Sequence, residues 1–182
     1  MEGSGSCTEA NAYTSHLLDP EGDTITVNGV TDSGSRGFAD GRVNLNASQI
    51  YGLQQGTSSK GGDPKAFSVG LSFLHESLHT KYGASFYDGT EYEQYKNMFG
   101  TFDDSFQISN PGAGSAVSTI INGFRRELGQ STIRSYYNGA DRDATIYLRV
   151  NGEKAKFQSN DNIAPPPLNE LQRNLLNSLY ND

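Results

Sequence analysis

The tightest constraint on this chain is the stretch from Asp63 to Gly83, where a helical apolar pattern carries His75-Glu76-Ser77-Leu78-His79. Asp63 can cap a helix, and Pro64 suits its first position, where an N–H would go unused anyway. Phe67, Leu71, Leu74, Leu78 and Tyr82 recur at spacings of three and four, which makes one apolar face. Gly83 can close the helix in the left-handed conformation. The signals predict one helix between Asp63 and Gly83. Its stripe has to be buried, so the fold must be built around it.

The same segment carries the chemistry. Residues four apart on a helix lie one turn apart on one face, so the imidazoles of His75 and His79 can reach a single Zn²⁺. Glu76 then sits beside the metal rather than on it. From there it can take a proton from a zinc-activated water and return it to a leaving amine, acting as general base and then acid. A shuffled chain of this composition contains the pattern roughly 0.2% of the time, which is its false-positive risk. Its placement inside a capped amphipathic helix favours a zinc site over ordinary surface histidines.

The third ligand is expected to be a carboxylate, because the remaining histidine, His16, lies far upstream. Asp88, Glu91, Glu93, Asp103 and Asp104 all follow the motif. Glu93 is preferred, on the next expected helix, with Asp104 and Glu91 as alternatives. Thr90-Glu91-Tyr92-Glu93 also matches a capping box, in which Glu93 would fold back on Thr90. Glu91 could equally face outward in a first helical turn. Arg134, Tyr136 and Tyr137 are candidates for stabilising a developing oxyanion.

Around this segment the pattern is mixed. Thr24 to Val27, Asn28-Gly29 and Val30-Thr31 read as a short hairpin, and Arg42 to Asn46 as a further strand. Gln54 to Gly62 reads as a loop. Thr90 to Phe99 is expected to form a short helix ended by Gly100. Ser115 to Leu128 should form another, with Val117, Ile120, Ile121, Phe124 and Leu128 inward and Gly129 as its stop. Arg125 and Arg126 are expected at its solvated end. Asn151-Gly152 between Ala144–Val150 and Glu153–Phe157 is the strongest hairpin signal. Pro165-Pro166-Pro167 is a rigid spacer before a C-terminal helix marked by Leu168, Leu171, Leu175 and Leu179. The expected class is α+β, with helices packed on a small antiparallel sheet. Residues 1–22 are expected as a flexible extension, ahead of one domain at 23–182.

Composition narrows the partners. A net charge of −7 argues against nucleic acid, which calls for a basic face. With one cysteine, Cys7, there is no disulfide framework or thiolate cluster. A hydrophobic fraction of 34% with 19 aromatic residues (Tyr 10, Phe 9) predicts a modest, aromatic-rich core. No apolar run approaches the ~20 residues a membrane helix needs. The N-terminus lacks the basic and apolar regions of a signal peptide. The chain is therefore expected either in the cytoplasm or as part of a larger exported protein.

The His-Glu-x-x-His helix resembles that of zincin metallopeptidases, some of which take a third ligand from a glutamate on a neighbouring helix, as Glu93 would be. Gly100-Thr101-Phe102-Asp103-Asp104 resembles the Gly-Thr-x-x-Asp pattern that supplies an aspartate ligand in aspzincins, with Gln107 where a tyrosine normally follows. Asn122, Arg125, Glu127 and Gly129, with Arg134 and Tyr137 (or Tyr136), resemble an Asn-x-x-Arg-x-Glu-x-Gly run and an Arg-x-x-Tyr found in toxin-type effector metallopeptidases. Leu18-Asp19-Pro20-Glu21-Gly22-Asp23 is similar to the Asp-Pro-x-Gly stretch that closes the core of Rhs (YD-repeat) proteins. Together these resemblances imply a zincin-like effector domain following an Rhs-type core, with Zn²⁺ as cofactor, a protein or peptide substrate and an immunity protein as partner.

Overall fold

A computed structural model of the chain describes residues 8–104, 108, 114–136 and 145–158. The class is α+β. Helix α1 (Glu9–Leu17) is followed by strands β1 (Thr26–Val30), β2 (Arg36–Gly37) and β3 (Arg42–Asn46), then by α2 (Ala47–Ser59). A 3₁₀ turn (Pro64–Phe67) leads into α3 (Val69–Ser77) and α4 (Lys81–Ser85). After a second 3₁₀ turn (Glu93–Tyr95) come α5 (Ala116–Glu127), β4 (Thr132–Tyr136), β5 (Thr145–Val150) and β6 (Glu153–Gln158). The proline spacer and the C-terminal helix of the sequence reading lie outside the described residues.

Two three-stranded sheets form, ordered β1-β3-β2 and β4-β5-β6. The second is antiparallel throughout, as the sequence suggests. The first is mixed: β1 runs parallel to β3, and β2 antiparallel to it. Asn28-Gly29 is consequently no turn, since both residues sit inside β1 opposite Asn44 and Leu45. The second Asn-Gly does turn, with φ of 51° at Asn151 and 88° at Gly152. Both central residues of the favoured two-residue hairpin turn have positive φ.

The predicted long helix is broken into three pieces, because its apolar residues serve two cores. Ala66 and Phe67 pack with Ile146, Leu148, Val150 and Phe157 against the second sheet. Leu71 and Leu78 belong instead to a cluster with Tyr13, Ile121 and Phe124. Ser68 makes the break. Its extended backbone ends the 3₁₀ turn, and its hydroxyl caps α3 by accepting from the Leu71 N–H. The Gln54–Gly62 stretch is mostly helical, because Asn46 caps α2 through its side chain and Ile50 and Thr57 are buried along it. Thr90 to Phe99 holds only the second 3₁₀ turn, and Leu128 is exposed rather than inward.

The N-terminal segment is integral to the core rather than a flexible extension over its described part. Tyr13 of α1 is fully buried, and its hydroxyl shares a 2.7 Å hydrogen bond with Ser77 Oγ at the end of α3. Glu127, in the last turn of α5, accepts from the Glu9 and Ala10 N–H groups at 3.1 and 2.9 Å. Those donors would otherwise be unmatched at the start of α1.

α3 ends where the chain turns sharply into α4. Thr80 Oγ1 donates to the Ser77 carbonyl at 2.7 Å and accepts from the Gly83 N–H at 3.0 Å. Gly83 is buried within α4 and does not close a helix in the left-handed region. A Cβ there would lie 2.1 Å from the Ser77 carbonyl oxygen and 2.6 Å from the Tyr13 hydroxyl. Gly83→Ala should therefore push α4 off the end of α3 and lower stability by about 3 kcal/mol, as overpacking typically does. Chemical denaturation of the purified variant checks this, and an unchanged midpoint would contradict it.

Candidate metal centre

His75 lies in the last turn of α3, and His79 two residues beyond its end. The i to i+4 relation survives because the chain continues as a tighter turn, with Leu78 and His79 N–H donating to the His75 and Glu76 carbonyls at 3.3 and 3.1 Å. The two imidazole centroids are 5.3 Å apart. Opposite them stands Asp104, whose Oδ2 is 3.5 Å from His75 Nε2 and 3.4 Å from His79 Nε2. These three residues form a group able to hold a metal ion.

The spacing can be compared with that of an ordinary ion pair and that of metal ligands. A charge-assisted hydrogen bond would draw N and O to about 2.7–2.9 Å. Ligands about 2.1 Å from a tetrahedral ion instead lie roughly 3.4 Å from one another. The two Asp104–imidazole separations, 3.5 and 3.4 Å, are close to the second value. The other carboxylate oxygen, Asp104 Oδ1, is buried with no hydrogen-bond partner among the described residues. A carboxylate held in this way gains from a cation more than from water it cannot reach. The donor set of two imidazoles and one carboxylate suits zinc.

His79 is oriented from behind, since its Nδ1 is 2.8 Å from the Phe102 carbonyl oxygen. Donation there fixes the tautomer and leaves Nε2 for a metal. The Phe102 strand position is set in turn by its N–H, which donates to the Leu78 carbonyl at 3.3 Å. Glu76 is held by the Gly37 N–H, which donates to its Oε2 at 2.9 Å. Gly37 is required there by space alone: a Cβ would come within 1.9 Å of the Glu76 carbonyl oxygen. Thus β2, α3 and the 102–104 segment converge on one cleft of about 510 Å³, whose lining includes Arg36, Phe38, Glu76, His79, Phe99 and Asp104.

The sequence prefers Glu93 as third carboxylate; the structure places Asp104 beside the imidazoles. Glu93 is exposed, and its Oε2 accepts from the Gly89 N–H at 2.9 Å, a local fold-back like that of a capping box. Glu91 is likewise exposed and outside the group. Asp104 falls where the Gly-Thr-x-x-Asp resemblance implies. Gly37 and the Phe102 carbonyl carry no local sequence signal for their parts.

The downstream run proves to be scaffold in this fold. Asn122 bridges α5 to β4, its Nδ2 donating to the Arg134 carbonyl at 2.6 Å and its Oδ1 accepting from the Arg134 N–H at 3.0 Å. Arg125 is buried, not solvated: its Nε donates to the Ala66 carbonyl at 2.7 Å, and its guanidinium lies 4.9 Å from the Phe67 ring centre. Burial, then the nearby charge of Arg134, pushes its pKa down to about 9. Glu127 caps α1, and Gly129 ends α5 at φ 72°. Arg134 is not among the lining residues of the cleft, Tyr136 lies on β4, and Tyr137 is outside the described residues.

Without metal, the cluster is a protonation site. Burial works against charge on His79, but Asp104, then Glu76 and the Phe102 carbonyl, outweigh it and push the pKa up to about 9. Burial likewise opposes the Asp104 carboxylate, yet His75 and His79 hold its pKa well below the usual range. The sign for His79 follows directly. Its stabilising contribution is fully present below its ordinary value of 6.5 and is lost as pH rises through about 9. Chelated protein should lose thermal stability across that window, and the fall should be absent in His79→Gln. A flat profile in the chelated wild type would contradict this.

Comparison with protein-family models, curated proteins and solved structures finds no match to this chain. Among the described residues, no helix is long and apolar enough to cross a membrane.

Proposed function

We propose that this chain is a zinc-dependent peptidase of zincin-like type. The observation that carries the reading is the gathering of His75, His79 and Asp104, with the Asp104 carboxylate 3.5 and 3.4 Å from the two imidazole Nε2 atoms and the Glu76 carboxylate tethered alongside. His75, His79 and Asp104 would hold Zn²⁺, which supplies Lewis acidity toward a carbonyl and makes water acidic enough to attack near neutral pH. Glu76 provides the proton traffic. With Oε2 fixed by Gly37, its Oε1 takes the proton of the attacking water and passes it to the leaving amine. The backbone tether limits the carboxylate to one pose, which removes an entropic cost at the moment of transfer.

The substrate is a protein or peptide presented in extended form. β2 supports this, being an edge strand of the first sheet whose residues line the cleft. The toxin-type and Rhs resemblances extend the proposal to an effector domain delivered as part of a larger secreted protein, with an immunity protein that blocks it. A chelator should abolish cleavage of a panel of denatured proteins, and stoichiometric zinc should restore it. Cleavage that persists in chelator would contradict the zinc dependence.

A further inference from the structure

The cleft carries an apolar feature that the proposed chemistry does not use. Between the paired positions Lys96 and Phe102 the chain makes a tight loop whose tip is Met98-Phe99. Met98 is 90% exposed and Phe99 60% exposed, although Phe99 lines the same cleft as Glu76 and Asp104. Such residues in a floppy loop would mean little. This loop is tied down: Asn97 Oδ1 accepts from the Phe99 N–H at 2.9 Å and from Thr101 Oγ1 at 3.2 Å, while the Asn97 N–H donates to the Thr101 carbonyl at 2.6 Å. Gly100 turns the chain at φ 73°. The next residues, Thr101 and Phe102, are buried, and Phe102 anchors His79 through its carbonyl.

A tied-down loop that holds two large apolar side chains in water, Phe99 among them lining the cleft, carries a free-energy cost that covering them would relieve. Resting on the peptidase reading, we infer that the Met98-Phe99 tip is a specificity element that docks an apolar side chain of the substrate beside the scissile bond. Phe38, which directly follows β2, lines the same cleft with a second aromatic side chain, its ring flanked by the guanidinium groups of Arg36 and Arg42. The loop is continuous with the Asp104 segment. A side chain docked on Phe99 lies in the cleft that Glu76 and Asp104 also line.

The test uses matched peptides that differ only by Leu or Ser at one scanned position. Hydrolysis is measured with zinc-loaded wild type and Phe99→Ser, and binding by fluorescence anisotropy with zinc-loaded Glu76→Gln protein with and without Phe99→Ser. Wild type should favour the Leu peptide at one position by roughly tenfold in kcat/KM, about what partial burial of one such side chain gives. Phe99→Ser should reduce that advantage to about twofold, and Phe99→Leu should retain most of it. Hydrolysis with no Leu preference, or a preference unchanged in Phe99→Ser, overturns the docking role and leaves the peptidase reading intact. Phe99-dependent binding of Leu peptides without hydrolysis sinks the peptidase reading and keeps the docking site. Absence of both cleavage and binding overturns both.

Discussion

Glu76→Gln is expected to reduce peptide hydrolysis by about 10²–10⁴-fold, the usual worth of a positioned general acid–base group, while zinc content stays unchanged. The substitution keeps shape and volume and removes only the ability to take up a proton. Its amide oxygen can still accept the Gly37 N–H that now holds Oε2, so the side chain keeps its pose. None of the three residues that could hold the metal is touched, since Glu76 is outside the His75, His79 and Asp104 set. Parallel assays of turnover and bound zinc separate the outcomes. A module that uses zinc only as a staple would show no turnover in either protein and at most a change in stability.

Asp104→Ala is expected to cost the largest share of metal affinity of any single carboxylate change in this chain. Partners that merely orient ligands are worth roughly 10–100-fold in affinity. Removing a direct ligand should exceed that range. The loss is sharpened by the site's electrostatics, because two close imidazoles would face an incoming cation without the carboxylate that lies within 3.5 Å of both. Asp104 is the anion within 3.5 Å of both imidazole Nε2 atoms. Glu93→Gln, by contrast, should leave zinc binding within twofold of wild type, since that side chain is committed to the Gly89 N–H. Competition with a chromophoric chelator reads both affinities. Equal loss in the two variants, or a loss confined to Glu93→Gln, would contradict the assignment of Asp104.

These two residues also mark how far the sequence could be read. The His75, Glu76 and His79 constellation is legible because its geometry is local: four residues of helical turn bring the rings together whatever surrounds them. The third carboxylate is nonlocal. Asp104 reaches the imidazoles only because the Phe102 N–H pairs with the Leu78 carbonyl and the Asn97–Thr101 loop shortens the path between them. No periodicity encodes that pairing, whereas Glu93 is preferred for its place on the next expected helix and instead accepts from the Gly89 N–H. The fold shows the same division. Asn151-Gly152 and the Ser115-capped α5 follow from short-range rules. The break at Ser68 does not, because it depends on Phe67 and Leu71 packing into different clusters. Asn28-Gly29 misleads for a related reason, since parallel pairing with β3 keeps the strand extended through a favoured turn dipeptide. Residues 9–17, expected as part of a flexible extension, are held by Glu127 and by the burial of Tyr13.

The position of the metal decides between Asp104 and Glu93 as third ligand. Crystals of the chain prepared with zinc, with diffraction recorded on both sides of the zinc absorption edge, address this directly. The expected result is a single strong anomalous peak about 2.0–2.2 Å from His75 Nε2, His79 Nε2 and an Asp104 carboxylate oxygen, with Glu76 near but not bound. A map with no peak between these residues, or a peak held by Glu93 instead of Asp104, would contradict the central claim.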